Sequence, residues 1–161
     1  MKRMTADQSA GSGHNARVRM VETPQDDLTY KIIGLAMAVH TALGPGFPEE
    51  VYHRALEVSL QADGLPYERE VRLNLTFRDQ VVGTFDLDLV VANSVIVELK
   101  ALSASFAPIH QQQVIAYLAA SGLPIALLIN FGDSRLHYKR LFPPLSMQAS
   151  PAYRARQALL K

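Results

Sequence analysis

The segment Phe85–Lys100, FDLDLVVANSVIVELK, decides how the chain is read. It alternates apolar and polar residues, yet it sets Asp86, Asp88, Glu98 and Lys100 where a strand pair would normally bury aliphatics. A three-residue loop at Ala92, Asn93 and Ser94 is an accepted hairpin length, with Asn tolerant of the left-handed conformation. That loop places Val91 opposite Val95, Leu89 opposite Val97, Leu87 opposite Leu99 and Phe85 opposite Ala101. The other face then pairs Val90 with Ile96, Asp88 with Glu98, and Asp86 with Lys100. A two-residue loop would set Leu89 against Glu98 and Leu87 against Lys100, mixing both faces, so burial favours the first register. Its consequence is two facing carboxylates with side-chain bases about 5 Å apart, where like charges destabilise a strand pair. A divalent cation held by Asp88 and Glu98 would offset the repulsion, because hard ions such as Mg²⁺ accept carboxylate oxygens plus water. The competing reading is a solvated face on which Asp86 pairs with Lys100 and Asp88 merely tolerates Glu98.

Outward from this segment the pattern is regular. Leu28, Ile32, Leu35, Val39 and Leu43 recur at helical spacing from Asp27 onward, and GPGFP stops that helix. A second helix is expected from Pro48 to Gly64. YEREVRLNLTF, VVGTFDLDLVV and VIVELK read as three strands of a meander, with RDQ as a turn. A helix follows from about Pro108 to Ser121, then the strand IALLINF, the strand RLHYKRLF and a short helix near the C-terminus. Helix, helix, three strands, helix, two strands implies an α+β fold, a mixed sheet flanked by helices. On the helix at 108–121, His110, Gln113 and Tyr117 form a polar stripe beside an apolar face containing Ile109, Ala116 and Leu118.

The chain has 161 residues, 48% of them hydrophobic and 19% charged, which fits one folded domain and excludes a disordered polar chain. No apolar run reaches the roughly 18 to 20 residues of a membrane helix, and the N-terminus lacks a secretory apolar segment, so a cytoplasmic protein without a membrane partner is expected. With no cysteine, disulfides, thiolate zinc sites and a cysteine nucleophile are excluded. The net charge of +1 conceals an asymmetry: residues 1–19 carry four basic groups and one acid, and residues 135–161 carry six basic groups and no acid. Residues 20–134 hold six basic and fourteen acidic groups, a net of −8. Basic ends around an acidic body suit a polyanion partner whose chemistry uses metal-binding carboxylates; they also suit plain solvated termini. Residues 1–25 read as a flexible leader, 26–143 as the folded unit and 144–161 as a basic tail with a short helix. Ser103 and Ser105 lack a nucleophile-elbow setting, and GPG lacks the context of a phosphate-binding loop.

Asp88, followed ten residues later by Glu98-x-Lys100 across a hairpin, resembles the PD-(D/E)XK nuclease superfamily, whose restriction-endonuclease-like core is αβββαβ. More narrowly, GFPEEVY, with Gly46, Glu49 and Tyr52, resembles the signature of the GxxExxY protein family. VHTALGPG, VIVELKAL, PIHQQQVIAYL and GLPIALLINF resemble that family's other blocks, over about residues 26–142. One departure is Asp86, two positions before the motif aspartate, where the family resemblance leads one to expect arginine. The resemblance implies a Mg²⁺- or Mn²⁺-dependent nuclease acting on nucleic acid, DNA foremost, with 5′-phosphate and 3′-hydroxyl products. It implies Asp88, Glu98 and the Leu99 carbonyl as metal ligands, Lys100 as the group acting on nucleophile or phosphate, and Gln113 and Tyr117 as positioning residues. Glu49 is either a further metal-site acid or an acid favoured by the helix dipole. The rival class is a catalytically weak or inactive module that keeps the fold to bind nucleic acid or a protein partner. A nucleotide substrate and the state of self-association are left open by the sequence.

Overall fold

The computed structural model describes residues 24–160. The expected leader over residues 1–25 lies outside these except for its last two residues, which already begin helix α1 (Pro24–Leu43). Then follow α2 (Glu49–Ala62), β1 (Tyr67–Phe77), β2 (Gln80–Val91), β3 (Val95–Lys100) and α3 (Pro108–Ser121). The chain continues through β4 (Ile125–Asn130), β5 (His137–Leu141), α4 (Leu145–Gln148) and α5 (Pro151–Ala158). The expected order of elements is the observed one, with two short helices instead of one at the C-terminal end.

The five strands form one sheet in the order β1-β2-β3-β4-β5, parallel between β3 and β4 and antiparallel elsewhere. The parallel pair is the centre of the molecule. IALLIN is buried throughout and VIVELK is buried up to Lys100, as continuous apolar runs covered on both faces must be. One face packs under α1 and α2 through Ile32, Ala36, Leu56, Leu89, Val97, Leu99 and Ile129. The other packs under α3 through Ile96, Val114, Tyr117, Leu118, Ala126 and Leu128. Burying an aliphatic side chain of this size contributes roughly 1.5 to 3 kcal/mol, so these two layers supply most of the drive to fold. Gly122 ends α3 with φ of 75°, a left-handed position that glycine adopts without a Cβ penalty.

The stripe expected on α3 is corrected. Ile109 is 63% exposed and Ala116 is also exposed, while the buried face is Val114, Tyr117 and Leu118. His110 turns back to its own helix start, where Nδ1 accepts the Ala107 N–H at 3.0 Å. Capping an otherwise unpaired donor outweighs membership of a side-chain row. No helix among the described residues is long and apolar enough to cross a membrane.

Candidate active site

The hairpin loop falls at Ala92–Ser94, with Ala92 and Asn93 both at φ of 50°, and Val91, Val90 and Leu89 pair with Val95, Ile96 and Val97. Beyond Leu89 and Val97 the ladder stops. The expected pairs of Asp88 with Glu98 and Asp86 with Lys100 are not formed as strand partners. Asp88 instead turns a carboxylate oxygen to the backbone N–H of Leu99, which donates to it at 2.9 Å. A side-chain acceptor thus takes a donor that the neighbouring strand would otherwise use, and β2 parts from β3 where their carboxylates would repel.

The parting coincides with a change of face. Tyr67 and Leu89 pack with α1 and α2, whereas Val71, Leu73, Phe85 and Leu87 pack on the α3 side. The switch lies at Glu70 on β1, which has φ of 51°, and at Asp88 on β2. Asp86 and Asp88 therefore do not share one acidic surface. Asp86 is bound across the β1–β2 pair to Arg72, at 2.9 and 3.4 Å, and that hydrogen bond holds its carboxyl below the usual range. Asp86 thus departs from the expected arginine, and its charge is matched by a cross-strand arginine.

Glu98 and Lys100 occupy the end of β3. Glu98 is 4% exposed, and Lys100 Nζ donates to its Oε1 at 3.2 Å. Its second oxygen, Oε2, is buried without a hydrogen-bond partner among the described residues. Burial first, then the nearby Asp88 charge, pushes the Glu98 carboxyl up to about 7. Burial works against the charge on Lys100, but Glu98, Glu49 and Asp88 together outweigh it and leave the Lys100 pKa raised. Lys100 is therefore an ammonium at neutral pH.

Glu49 reaches the same place from α2. Glu49 is exposed overall, but partial burial of its carboxyl raises its pKa, with Lys100 opposing and Asp88 reinforcing the shift, and it lies by the backbone N–H of Ala101. The local chain explains why Glu49 stands there. Gly44 and Gly46 take φ of 72° and 105° to turn out of α1. Tyr52, fully buried and stacked on Phe131 at 4.9 Å, donates its hydroxyl to the Gly44 carbonyl at 2.6 Å and accepts the Phe47 N–H. The spacing of Gly46, Glu49 and Tyr52 is thus a turn, an acid at the first helical position, and a tether one turn later. The next residue, Glu50, pairs with Arg69 and Arg54, whose hydrogen bonds hold its carboxyl down to about 2.

On α3, Gln113 donates to the Tyr117 hydroxyl at 2.6 Å, and the Tyr117 ring lies 5.7 Å from Phe85. Burial raises the Tyr117 pKa, and the charges of Glu98, Lys100 and Asp88 all act on it, so Tyr117 borders the acidic cluster. The fold therefore brings Glu49, Asp88, Glu98, Lys100 and Tyr117 together, with Gln113 reaching them through Tyr117.

Asn130 and Gly132 were not singled out from the sequence. Asn130 is fully buried at the end of β4, where its oxygen accepts from Leu102 and Gly132 N–H groups at 2.7 and 3.0 Å. Its amide donates to the carbonyls of Leu102 and Ala104 at 3.0 and 3.2 Å. At Gly132 an added Cβ would stand 2.4 Å from the Leu102 nitrogen. Together they clamp the chain leaving Lys100. The only sequence signal was a polar residue closing an otherwise apolar strand, which a solvated strand end would also give.

Among the described residues no group of three or more His, Cys, Asp or Glu side chains stands ready to hold an ion. The unpartnered oxygen of Glu98 beside Asp88 nevertheless fits a hard cation that completes its shell with backbone carbonyl and water.

Residues 26–141 match the family model described as the PD-(D/E)XK nuclease superfamily, and the chain belongs to that superfamily. No curated protein matches it. The crystal structure of SSO0001 is similar, with a TM-score of 0.50 at 18% identity over 83% of this chain. The chain spans 65% of the length of that protein's chain, and the likeness is one of fold.

Proposed function

We propose that the protein is a Mg²⁺- or Mn²⁺-dependent phosphodiesterase acting on nucleic acid, DNA being the first substrate to test. The observation that carries this reading is the buried Glu98 carboxylate, with one oxygen on Lys100 and the other unpartnered beside Asp88. Asp88, Glu98 and the Leu99 carbonyl would hold the ion, with Glu49 completing or enlarging the site. Bound there, the cation would polarise a phosphoryl oxygen and lower the pKa of attacking water. The side chains have separate tasks. Water adds to phosphorus, the bond to the 3′ oxygen breaks, and the products carry a 5′-phosphate and a 3′-hydroxyl. The ammonium of Lys100, kept charged by Glu98, sits where negative charge grows on the phosphate and stabilises it more in the transition state than before. Tyr117, held by Gln113, orients phosphate or Lys100.

The narrower likeness to the GxxExxY family belongs to this proposal, as does the division into a nuclease unit at 26–143 and a basic tail at 144–161. A second reading, a binding module without turnover, is favoured by Asp86 standing where relatives are expected to carry arginine. A screen of Mg²⁺ and Mn²⁺ over labelled single- and double-stranded DNA and RNA decides between them. Cleavage by the wild type that is abolished in Glu98→Ala supports the enzyme, and binding without cleavage of any of the four supports the module.

A further inference from the structure

A cavity of about 240 Å³ lies between the segment leaving β3 and strand β5, lined by Ser105, Phe106, His137, Tyr138 and Lys139. Its position relative to the candidate active site follows from the strand register. Glu98 stands beside Leu128, which stands beside Lys139; Lys100 stands beside Asn130, which stands beside His137. Lys139 is therefore two strands from Glu98 at the same level of the sheet, roughly 10 Å at ordinary strand spacing. Leu128 packs on the α3 side, so its row, with Glu98 and Lys139, faces that way.

The lining combines an aromatic wall with cationic and hydroxyl groups. Phe106 packs against the apolar layer under α3 and meets His110 edge-on at 6.5 Å. Tyr138 is 42% exposed and, paired with Ile129 of the α1–α2 layer, belongs to the opposite row, so Phe106 is the aromatic ring on the Lys139 side. His137 is held by the Asp133 carboxylate at 3.0 Å. Lys139 and its neighbour Arg140 are exposed and make no ion pair or side-chain hydrogen bond among the described residues, unlike Lys31, Arg54, Arg69, Arg72 and Lys100. A solvent-facing cation with no internal partner, beside an aromatic ring, is the arrangement that takes a nucleic-acid phosphate together with an unstacked base.

We propose that this cavity is a subsite for one nucleotide of the substrate strand, its base against Phe106 and its phosphate on Lys139, one or two nucleotides from the phosphate at Lys100. The inference rests on the phosphodiesterase reading and narrows it to nucleic acid that offers unpaired bases: single strands, flaps or frayed ends. At this size the cavity, below the roughly 300 Å³ of ordinary ligand pockets, takes a single base and not an intact base pair.

The test uses the full chain with Ca²⁺ in place of Mg²⁺, labelled single-stranded DNA and RNA oligonucleotides, and a blunt DNA duplex. Lys139→Ala and, separately, Phe106→Leu, which keeps apolar volume while removing the ring, should each weaken single-strand binding about five- to tenfold. Lys139→Ala should also lower the salt slope by about 0.7. An oligonucleotide bearing 5-iododeoxyuridine should crosslink to the peptide containing Phe106. Single-strand affinity unchanged in both variants, with crosslinks mapping elsewhere, overturns the subsite even where the wild type cleaves. No binding of single strands by the wild type overturns it as well. Crosslinking and weakened binding with no cleavage by the wild type would sustain the subsite and remove the phosphodiesterase instead.

Discussion

Glu98 is where the chemistry of the site can be read in a titration. Its folded pKa, pushed up to about 7, lies above the 4.5 of an unperturbed glutamate. The metal-free protein therefore holds this proton more tightly than the unfolded chain does. The associated stability is fully present below pH 4.5 and is lost as pH rises through about 7, on the order of 3 kcal/mol. Glu98→Gln should flatten that part of the stability profile measured by urea denaturation between pH 4.5 and 8. Asp88→Asn should pull the Glu98 pKa down, because the Asp88 charge is one of the causes of its rise. Since a proton competes with a cation for the same oxygens, the Mg²⁺-induced rise in melting temperature should be smaller at pH 6 than at pH 8. A pH-independent metal shift would place the ion elsewhere. Lys100→Ala should lower the single-turnover cleavage rate roughly a hundred- to a thousandfold while metal stabilisation persists. Cleavage at the wild-type rate would remove Lys100 from the mechanism.

At the scale of elements, the site is an end of β3 held from two sides. From α2, the Tyr52 hydroxyl fixes the turn that carries Glu49. From β4, Asn130 and Gly132 fix the chain that leaves Lys100. Asn130→Ala strands four part-buried backbone groups and should cost about 2 to 4 kcal/mol in chemical denaturation. Gly132→Ala drives a methyl into backbone and should destabilise by a comparable amount, with loss of Mg²⁺-induced stabilisation as the site loosens. Melting curves of both variants with and without Mg²⁺ measure this, and wild-type curves for Gly132→Ala would mean that the segment 101–104 moves aside freely. The face switch at Glu70 and Asp88 is the other device at this scale, since it sends Asp86 to Arg72 and leaves Asp88 with Leu99.

For the whole molecule, charge is distributed between an acidic body and basic flanks. The described part of the C-terminal flank is not uniformly free. Arg156 donates to the Ala119 carbonyl at 2.9 Å and Arg154 to that of Gln148 at 3.1 Å, so both have structural partners. Arg135 and Arg140 are exposed and unpaired among the described residues and are the better candidates for phosphate contacts. Removing residues 1–19 together with Arg135→Gln and Arg140→Gln should reduce the slope of log affinity against log salt by about 0.7 per lost phosphate contact on single strands. An unchanged slope would make the charge asymmetry incidental to binding.

The amino-acid pattern makes the order of the elements, the Ala92–Ser94 loop and the buried strands legible. Hydrophobic period, glycine and proline punctuation and hairpin length are local properties, and each is written in neighbouring residues. It also singled out Asp88, Glu98 and Lys100, because acids and a lysine break an apolar pattern at short range. What it placed wrongly was how far the hairpin ladder runs. Ideal alternation continues the pairs to Asp86 and Lys100, whereas the Asp88 bond to the Leu99 N–H ends them at Leu89 and Val97. Packing of distant elements assigns Asp86 to Arg72, turns His110 to cap its own helix, and sets Asn130 to clamp a segment 26 to 28 residues away in sequence. These depend on which hydrogen-bond donors remain unpaired once the layers pack, and that count does not exist until distant elements meet.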